Sequence, residues 1–267
     1  MRFGKLICLS SIIVLVALLV SSAFLLDFAR KQYAAALSAR VWPLGQSLSR
    51  AYQSLTPDTN IPSLLLLGDS RIAEWGVPDI PGWHVFNGGV RQITSAQLAL
   101  RCRSILEQTR PQLVVIQVGI NDLKLLGVHP ELDDLVVSNC VANILATAGE
   151  CRSHNARVIV TLVWPIGKVS LVRRLVWSDA VAPAIEETNA RLQSRLSGRD
   201  GEEALDLFGR LTHGYSEKQR FGLYHNTLHL KPEIYARLSE FLKEAVAGHS
   251  VAGKSTYSPH PTEGEAR

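Results

Sequence analysis

Ser63-Leu64-Leu65-Leu66-Leu67-Gly68-Asp69-Ser70-Arg71 is the stretch on which the fold turns. Four consecutive leucines suit a strand covered by helices on both faces, and Gly-Asp-Ser is a turn composition that ends it. Further strand-forming runs follow at His84-Val85-Phe86, Leu113 to Val118, Arg157 to Val163, and Ala204-Leu205-Asp206-Leu207. Helical patterns lie between them. Thr94 and Gln97 form a capping-box signature ahead of Leu98, Cys102 and Ile105. Val137, Val141, Ile144, Ala148 and Cys151 make a second stripe, and Val181, Ile185, Thr188, Leu192 and Leu196 a third, with Ser178 or Asp179 as its cap. Ile234, Leu238 and Phe241 mark a last helix that starts near Pro232. Strands alternating with helices imply right-handed crossovers, so the expected fold is α/β: a three-layer, doubly wound, mostly parallel five-stranded sheet.

The flanks have a different character. Arg2 and Lys5 precede an uncharged run from Leu6 to Leu26, long enough to cross roughly 30 Å of hydrocarbon as a helix. We read residues 1–28 as a signal anchor. A cleaved signal peptide is the alternative, with Ser21-Ser22-Ala23 as its site, although Phe24-Leu25-Leu26 continue the apolar run beyond it. Arg30 and Lys31 on the far flank blunt the orientation signal, and export of the long C-terminal part is the expected outcome. Residues 29–60 read as a stalk, 61–247 as the folded domain, and 248–267, rich in Ser, Pro, Gly and Glu, as a disordered tail. The domain is thus expected outside the cytoplasm, membrane-anchored, or secreted if the leader is cleaved.

Composition narrows the function. Lys and Arg number 28 against 24 Asp and Glu, with no basic stripe interleaved with aromatics, which argues against a nucleic-acid partner. Cys8, Cys102, Cys140 and Cys151 match no zinc spacing, and no carboxylate or histidine cluster is visible, so neither metal nor cofactor is expected. Cys140 and Cys151 fall about 16 Å apart on one helix, too far for a disulfide. Cys102 with one of them stays open.

In doubly wound sheets the ligand sits beyond the carboxyl ends of the strands. Four segments at such positions carry the chemistry. Gly68-Asp69-Ser70 sets a serine hydroxyl at a strand-to-helix turn, where a helix-capping serine is the plain alternative. Asn87-Gly88-Gly89-Val90 follows the second strand and offers a close backbone amide, or simply a turn. Gly119-Ile120-Asn121-Asp122 ends the third strand with an amide donor, or an Asx turn. Asn226-Thr227-Leu228-His229-Leu230 precedes the last helix with an imidazole.

Taken together and in this order, the four blocks resemble the SGNH/GDSL hydrolases over roughly Leu64 to Leu242, the fold then being SGNH hydrolase/flavodoxin-like. Trp164-Pro165 through Asn189-Ala190-Arg191-Leu192 also looks like bacterial members of that family. The resemblance implies Ser70 as nucleophile and His229 as general base. It implies an oxyanion hole of the Ser70 amide, the Gly89 amide and the Asn121 side chain. A weak serine nucleophile needs such a base, and the developing oxyanion needs such donors.

One position departs from the family. Where Asp usually stands three residues before the histidine, this chain has Asn226. Asparagine can orient an imidazole but supplies no charge to the imidazolium, and its amide can favour the wrong tautomer. A Ser-His dyad, a substitute acid and loss of activity are the three outcomes; Asp69 and Asp122 are better suited to holding loops than to being that acid. His225 reads as a loop residue. Arg71 reads as an anion or sugar contact, or as a partner of Glu74. Arg91 and Gln92 read as lining the cleft, and Trp164 and Trp177 as a sugar-stacking wall or as packing. The expected activity is hydrolysis of a small acyl ester or of an acylated glycan or lipid. A polysaccharide O-acyltransferase on the same machinery and an impaired carbohydrate binder are the alternatives.

Overall fold

A computed structural model of the protein describes residues 2–41, 61–199 and 201–247. Helix α1 (Arg2–Val41) is followed by β1 (Ser63–Gly68), α2 (Ser70–Trp75), β2 (His84–Gly89), α3 (Ser95–Thr109), β3 (Leu113–Gln117) and the short α4 (Ile120–Leu123). Then come α5 (Asp133–Ser153), β4 (Arg157–Thr161), α6 (Val181–Leu196), β5 (Glu202–Leu205), α7 (Leu207–Leu211), α8 (Glu217–Phe221) and α9 (Pro232–Ala247).

The strands pair in parallel in the order β2-β1-β3-β4-β5. Alternation along them builds two cores. Leu65, Leu67, Val114 and Ile116 face one way, onto Leu98 and Ile105 of α3 and Ile144 and Ala148 of α5. Leu64, Leu66, Leu113 and Val115 face the other way, onto Ile72 and Trp75 of α2 and Leu238 and Leu242 of α9. Both faces are therefore covered, which is why the leucine run needs no polar residue. The strand order reverses between β1 and β3, so the crevice beyond their carboxyl ends lies at the switch point of the fold.

Local chemistry sets the element boundaries. The Thr94–Gln97 capping box forms at the start of α3. The last strand lies earlier than its sequence signal. Asp206 leaves the sheet because its carboxylate accepts from the Gly209 N–H at 2.7 Å and caps α7. Helix α6 starts after Ala180 without a side-chain cap; the Ser178 hydroxyl accepts from the Ala180 N–H at 3.3 Å and donates to the Leu126 carbonyl at 2.6 Å. Cys140 and Cys151 share α5, and Cys151 meets Cys102 with their sulfurs 3.7 Å apart as thiols.

Helix α1 does not break at residue 28 but continues to Val41. It is long and apolar enough to cross a membrane, and its side chains from Ile12 to Leu26 are exposed. Its last turns dock. Leu37 and Val41 are buried with Ile120, Leu125, Leu126 and Leu228, and the Arg40 carbonyl accepts from the Thr94 hydroxyl at 2.8 Å. Residues 42–60 of the expected stalk and the expected tail from 248 lie outside the described residues.

The end of β1 is the tightest point of the sheet. A Cβ on Gly68 would lie 1.9 Å from the Gln117 carbonyl oxygen, so only glycine lets β1 reach the crevice beside β3. Gly68→Ala is expected to cost about 1–3 kcal/mol through overpacking. Thermal melting followed by circular dichroism checks this; an unchanged Tm contradicts it.

Candidate active site

Ser70 is the first residue of α2, and Asp69 caps that helix by accepting the Arg71 N–H at 2.9 Å. An N–H at this first helical position has no partner within the helix. The Ser70 Oγ lies 2.8 Å from His229 Nε2. A hydroxyl and an imidazole at this separation can exchange a proton, the first requirement of a base-assisted nucleophile.

His229 is carried by a tight loop. Tyr224 and Leu230 form an antiparallel bridge across it, and the His225 N–H donates to the His229 carbonyl at 3.1 Å. The loop is bound sideways to the segment after β4: the Gly167 N–H donates to the Thr227 carbonyl at 2.8 Å, and the Thr227 hydroxyl to the Lys168 carbonyl at 3.0 Å.

Arg71 joins these pieces. It is fully buried, and each nitrogen of its guanidinium donates to a backbone carbonyl: Nε to Leu228 (3.0 Å), Nη1 to Trp164 (2.6 Å) and Nη2 to Pro165 (2.9 Å). Neither sequence reading of Arg71 holds. Its guanidinium is buried against backbone carbonyls, and Glu74 pairs instead with Arg91 at 2.8 Å. Trp164 is likewise buried, packed 5.6 Å from Trp75 and 6.1 Å from Tyr235 between ring centroids, and is no sugar-stacking wall. Trp177 lines a cavity of about 1030 Å³ with Pro165, Asn189, Phe208 and Tyr224, which Ser70 and His229 do not line.

Asn226 has one orientation open to it. Its Oδ1 accepts from the backbone N–H groups of Leu228 (2.8 Å) and His229 (3.0 Å). Turning the amide over would set its NH2 against both donors. Its Nδ2 therefore faces Nδ1 of His229 at 3.1 Å and Nδ1 of His225 at 3.3 Å and donates to them. A ring that accepts at Nδ1 carries its neutral-state proton on Nε2. The two rings lie nearly parallel, 5.8 Å apart, and their Nε2 atoms face Glu74 at 3.7 Å (His229) and 3.8 Å (His225).

This grouping was not legible in the sequence, which gave no carboxylate-histidine cluster. Glu74, His225 and His229 each offer one donor atom within 4.8 Å of the others, the set a divalent cation takes. The hydrogen-bond pattern does not fit a cation. Metal-binding imidazoles donate their second N–H to an acceptor, whereas Asn226 presents a donor to both rings. The cluster is a carboxylate faced by two imidazole N–H groups and a guanidinium.

The remaining acids are engaged elsewhere. Asp122 accepts from the Ser95 N–H (2.8 Å) and hydroxyl (2.6 Å), and burial pushes its carboxyl up to about 6. Burial also raises Asp69, whose Oδ1 caps α2. Neither touches His229. The oxyanion partners expected from sequence fare differently. Asn121 is buried in α4, just beyond β3, and gives one amide hydrogen to the Ile93 carbonyl at 2.8 Å. The Gly89 N–H is bound to Asn87 Oδ1 at 2.8 Å, and a Cβ there would lie 2.2 Å from the Ala73 nitrogen, so this glycine serves close packing of β2 on α2. The turn just beyond holds Gln92 at φ 66°, a conformation usually left to glycine or asparagine, and its N–H has no partner among the described residues.

No family model matches the sequence, and no curated protein does. Solved structures do match. A Bacteroides fragilis protein assigned as an acylhydrolase superposes with a TM-score of 0.58 at 19% identity, over 76% of this chain and 97% of that one. A GDSL-like lipase of Bacteroides thetaiotaomicron gives 0.53 at 21%, over 82% and 98%. A lipase/acylhydrolase of Enterococcus faecalis gives 0.53 at 19%, over 71% and 97%. What this chain shares with all three is the fold.

Arg71→Met is expected to lower stability by about 3 kcal/mol, since buried carbonyl oxygens lose a charged donor, and to speed hydrogen exchange across residues 225–230. Arg91→Ala, at an exposed ion pair, is expected to stay within about 0.5 kcal/mol of wild type. Equal losses for the two variants contradict the assignment of Arg71 as the clamp.

Proposed function

We propose that this chain, whose fold is that of solved GDSL-like lipases and acylhydrolases, hydrolyses carboxylic esters with Ser70 as nucleophile and His229 as general base. The observation that carries the reading is the 2.8 Å contact between Ser70 Oγ and His229 Nε2, at the carboxyl end of β1 beside the switch point of the sheet. In this mechanism Oγ attacks the acyl carbon while His229 takes its proton, then returns it to the leaving alkoxide. Water repeats the sequence on the acyl-enzyme. Charge on the tetrahedral oxygen meets the Ser70 N–H and the second amide hydrogen of Asn121, each donor contributing roughly 3–4 kcal/mol when preorganised. With the Gly89 N–H bound to Asn87, the unpaired N–H of Gln92 takes the third place in our reading, since the next residue, Ile93, is held by Asn121.

The proposed enzyme is slow at rest. To accept the Ser70 proton, His229 must carry its own on Nδ1, where the Asn226 NH2 stands as a competing donor. Burial adds to this by holding the imidazole below its ordinary value, against the pull of Glu74. An aspartate at 226 would keep one oxygen on the two backbone N–H groups and turn the other to Nδ1–H. The same Asn226 geometry favours a second reading, a cleft that binds acylated ligands with little turnover. We place the domain on the membrane through α1 and, as exported leaders usually do, outside the cytoplasm, with an acylated envelope glycan or lipid as substrate.

Asn226→Asp is expected to raise hydrolysis of p-nitrophenyl acetate by up to about 10⁴-fold, the size of the reverse change in serine proteases. Ser70→Ala is expected to abolish it, along with labelling by a fluorophosphonate probe. If neither wild type nor Asn226→Asp labels at Ser70, the hydrolase reading fails. Labelling in Asn226→Asp alone favours the binder.

A further inference from the structure

A general base that lacks its usual acid still needs negative charge beside the imidazolium it becomes. Among the described residues, the carboxylate nearest His229 belongs to neither the Asp69 nor the Asp122 block. It is Glu74, one helical turn after Ser70 on α2, with Oε1 3.7 Å from His229 Nε2. We propose that Glu74 is the positioning acid of this site, supplying from the Nε2 side the charge that position 226 lacks. The inference rests on the hydrolase reading and extends it.

Three features support this assignment. Glu74 and Ser70 are spaced i, i+4 on α2, so the helix that presents the nucleophile also presents the carboxylate on the same face. The Glu74 side chain is only 19% exposed, so solvent screens it incompletely. Asn226 holds Nδ1 of both rings, which leaves their Nε2 atoms on the side of Glu74, that of His229 in contact with Ser70 Oγ as well. When Oγ gives its proton to His229, the ion pair that forms is imidazolium with Glu74. The proton moves from Oγ to Nε2 and on to the alkoxide; Glu74 exchanges none.

The groups facing His229 have opposed effects. Glu74 favours the protonated ring, while Arg71 from beneath on α2, His225 across the stack and Arg91 from the turn after β2 all disfavour it. Arg91 also binds Glu74 directly, at 2.8 Å, and so moderates its charge. Removing Glu74 and removing Arg91 therefore shift the His229 titration in opposite directions. These opposite shifts report the charge that the ring feels; the part Glu74 plays in turnover is read separately, from the plateau of kcat/KM.

The test is the pH dependence of Ser70 fluorophosphonate labelling and of kcat/KM on p-nitrophenyl acetate, for wild type, Glu74→Gln and Arg91→Ala. Glu74→Gln is expected to lower the plateau about tenfold and move the acid-limb midpoint down by up to about one unit. The sign follows from losing the group that favours the protonated ring. Arg91→Ala is expected to move the midpoint upward. In an Asn226→Asp background, Glu74→Gln is expected to cost at most about threefold, because a second carboxylate then serves the ring. Midpoints that stay put, or move the same way in both variants, overturn the role of Glu74 while Ser70 labelling keeps the hydrolase reading intact. Absent labelling in wild type and Asn226→Asp alike overturns that reading, and this inference with it.

Discussion

The buried guanidinium of Arg71 is the constraint on which the site depends. Its three carbonyl partners come from two segments far apart in sequence, the end of the His229 loop and the stretch after β4. Both are irregular backbone; the Pro165 oxygen also accepts from the Tyr224 hydroxyl at 2.7 Å, while Arg71 supplies the donors to Leu228 and Trp164. A lysine in this position would present one point charge, whereas the planar fork reaches three oxygens at fixed angles. Because Arg71 directly follows Ser70, the hydroxyl and the loop that carries the imidazole are referenced to the same residue. The 2.8 Å Ser70–His229 contact is a consequence.

A second layer of polar logic decides what that contact can do. Asn226 is held by two backbone N–H groups, and this leaves its NH2 the only group it can turn to His229. Asparagine and aspartate are nearly equal in shape, so the loop tolerates either. They differ in the proton they impose on the ring. On the inference drawn above, Glu74 compensates for the missing charge but not for the tautomer. The chain would then keep the electrostatic half of a triad from one side of the imidazole while opposing the hydrogen-bonding half from the other.

Much of this was legible from sequence, and the failures share a cause. The leucine run of β1 and the stripes of α3, α5 and α6 specify layers because burial on both faces leaves an uninterrupted apolar pattern. That Ser70 and Asn121 lie just beyond β1 and β3 was legible because such sheets open their crevice at strand ends; the contact of Ser70 with His229 is a tertiary fact. Arg71 and Trp164 were misread because a charged or amphipathic residue beside a nucleophile looks like a ligand contact. Whether it is buried with carbonyl partners is a tertiary fact. Gly89 was misread because glycine serves close packing and ligand approach equally well, and here the Ala73 backbone claims it. The nearest sign of the positive φ in that turn was Gln92, whose side chain gives no hint of it. Glu74 was visible only as a possible partner of Arg71. Its approach to His225 and His229 depends on the Arg71 clamp bringing the loop over α2.

The docking of α1 gives the last step. Leu37 and Val41 share a core with Leu228, the residue before His229 and the carbonyl that Arg71 holds. The end of the apolar helix and the underside of the imidazole loop are thus packed against the same side chains. On the reading of α1 as a membrane anchor, residues 27–36 form a rigid helical spacer of about 15 Å between the bilayer surface and the docked Leu37. A flexible stalk would let the site sample a wide range of heights. A helix docked at its last two turns instead fixes the height and orientation of the crevice relative to the bilayer. That geometry suits a substrate held at a set distance from the membrane better than one free in solution.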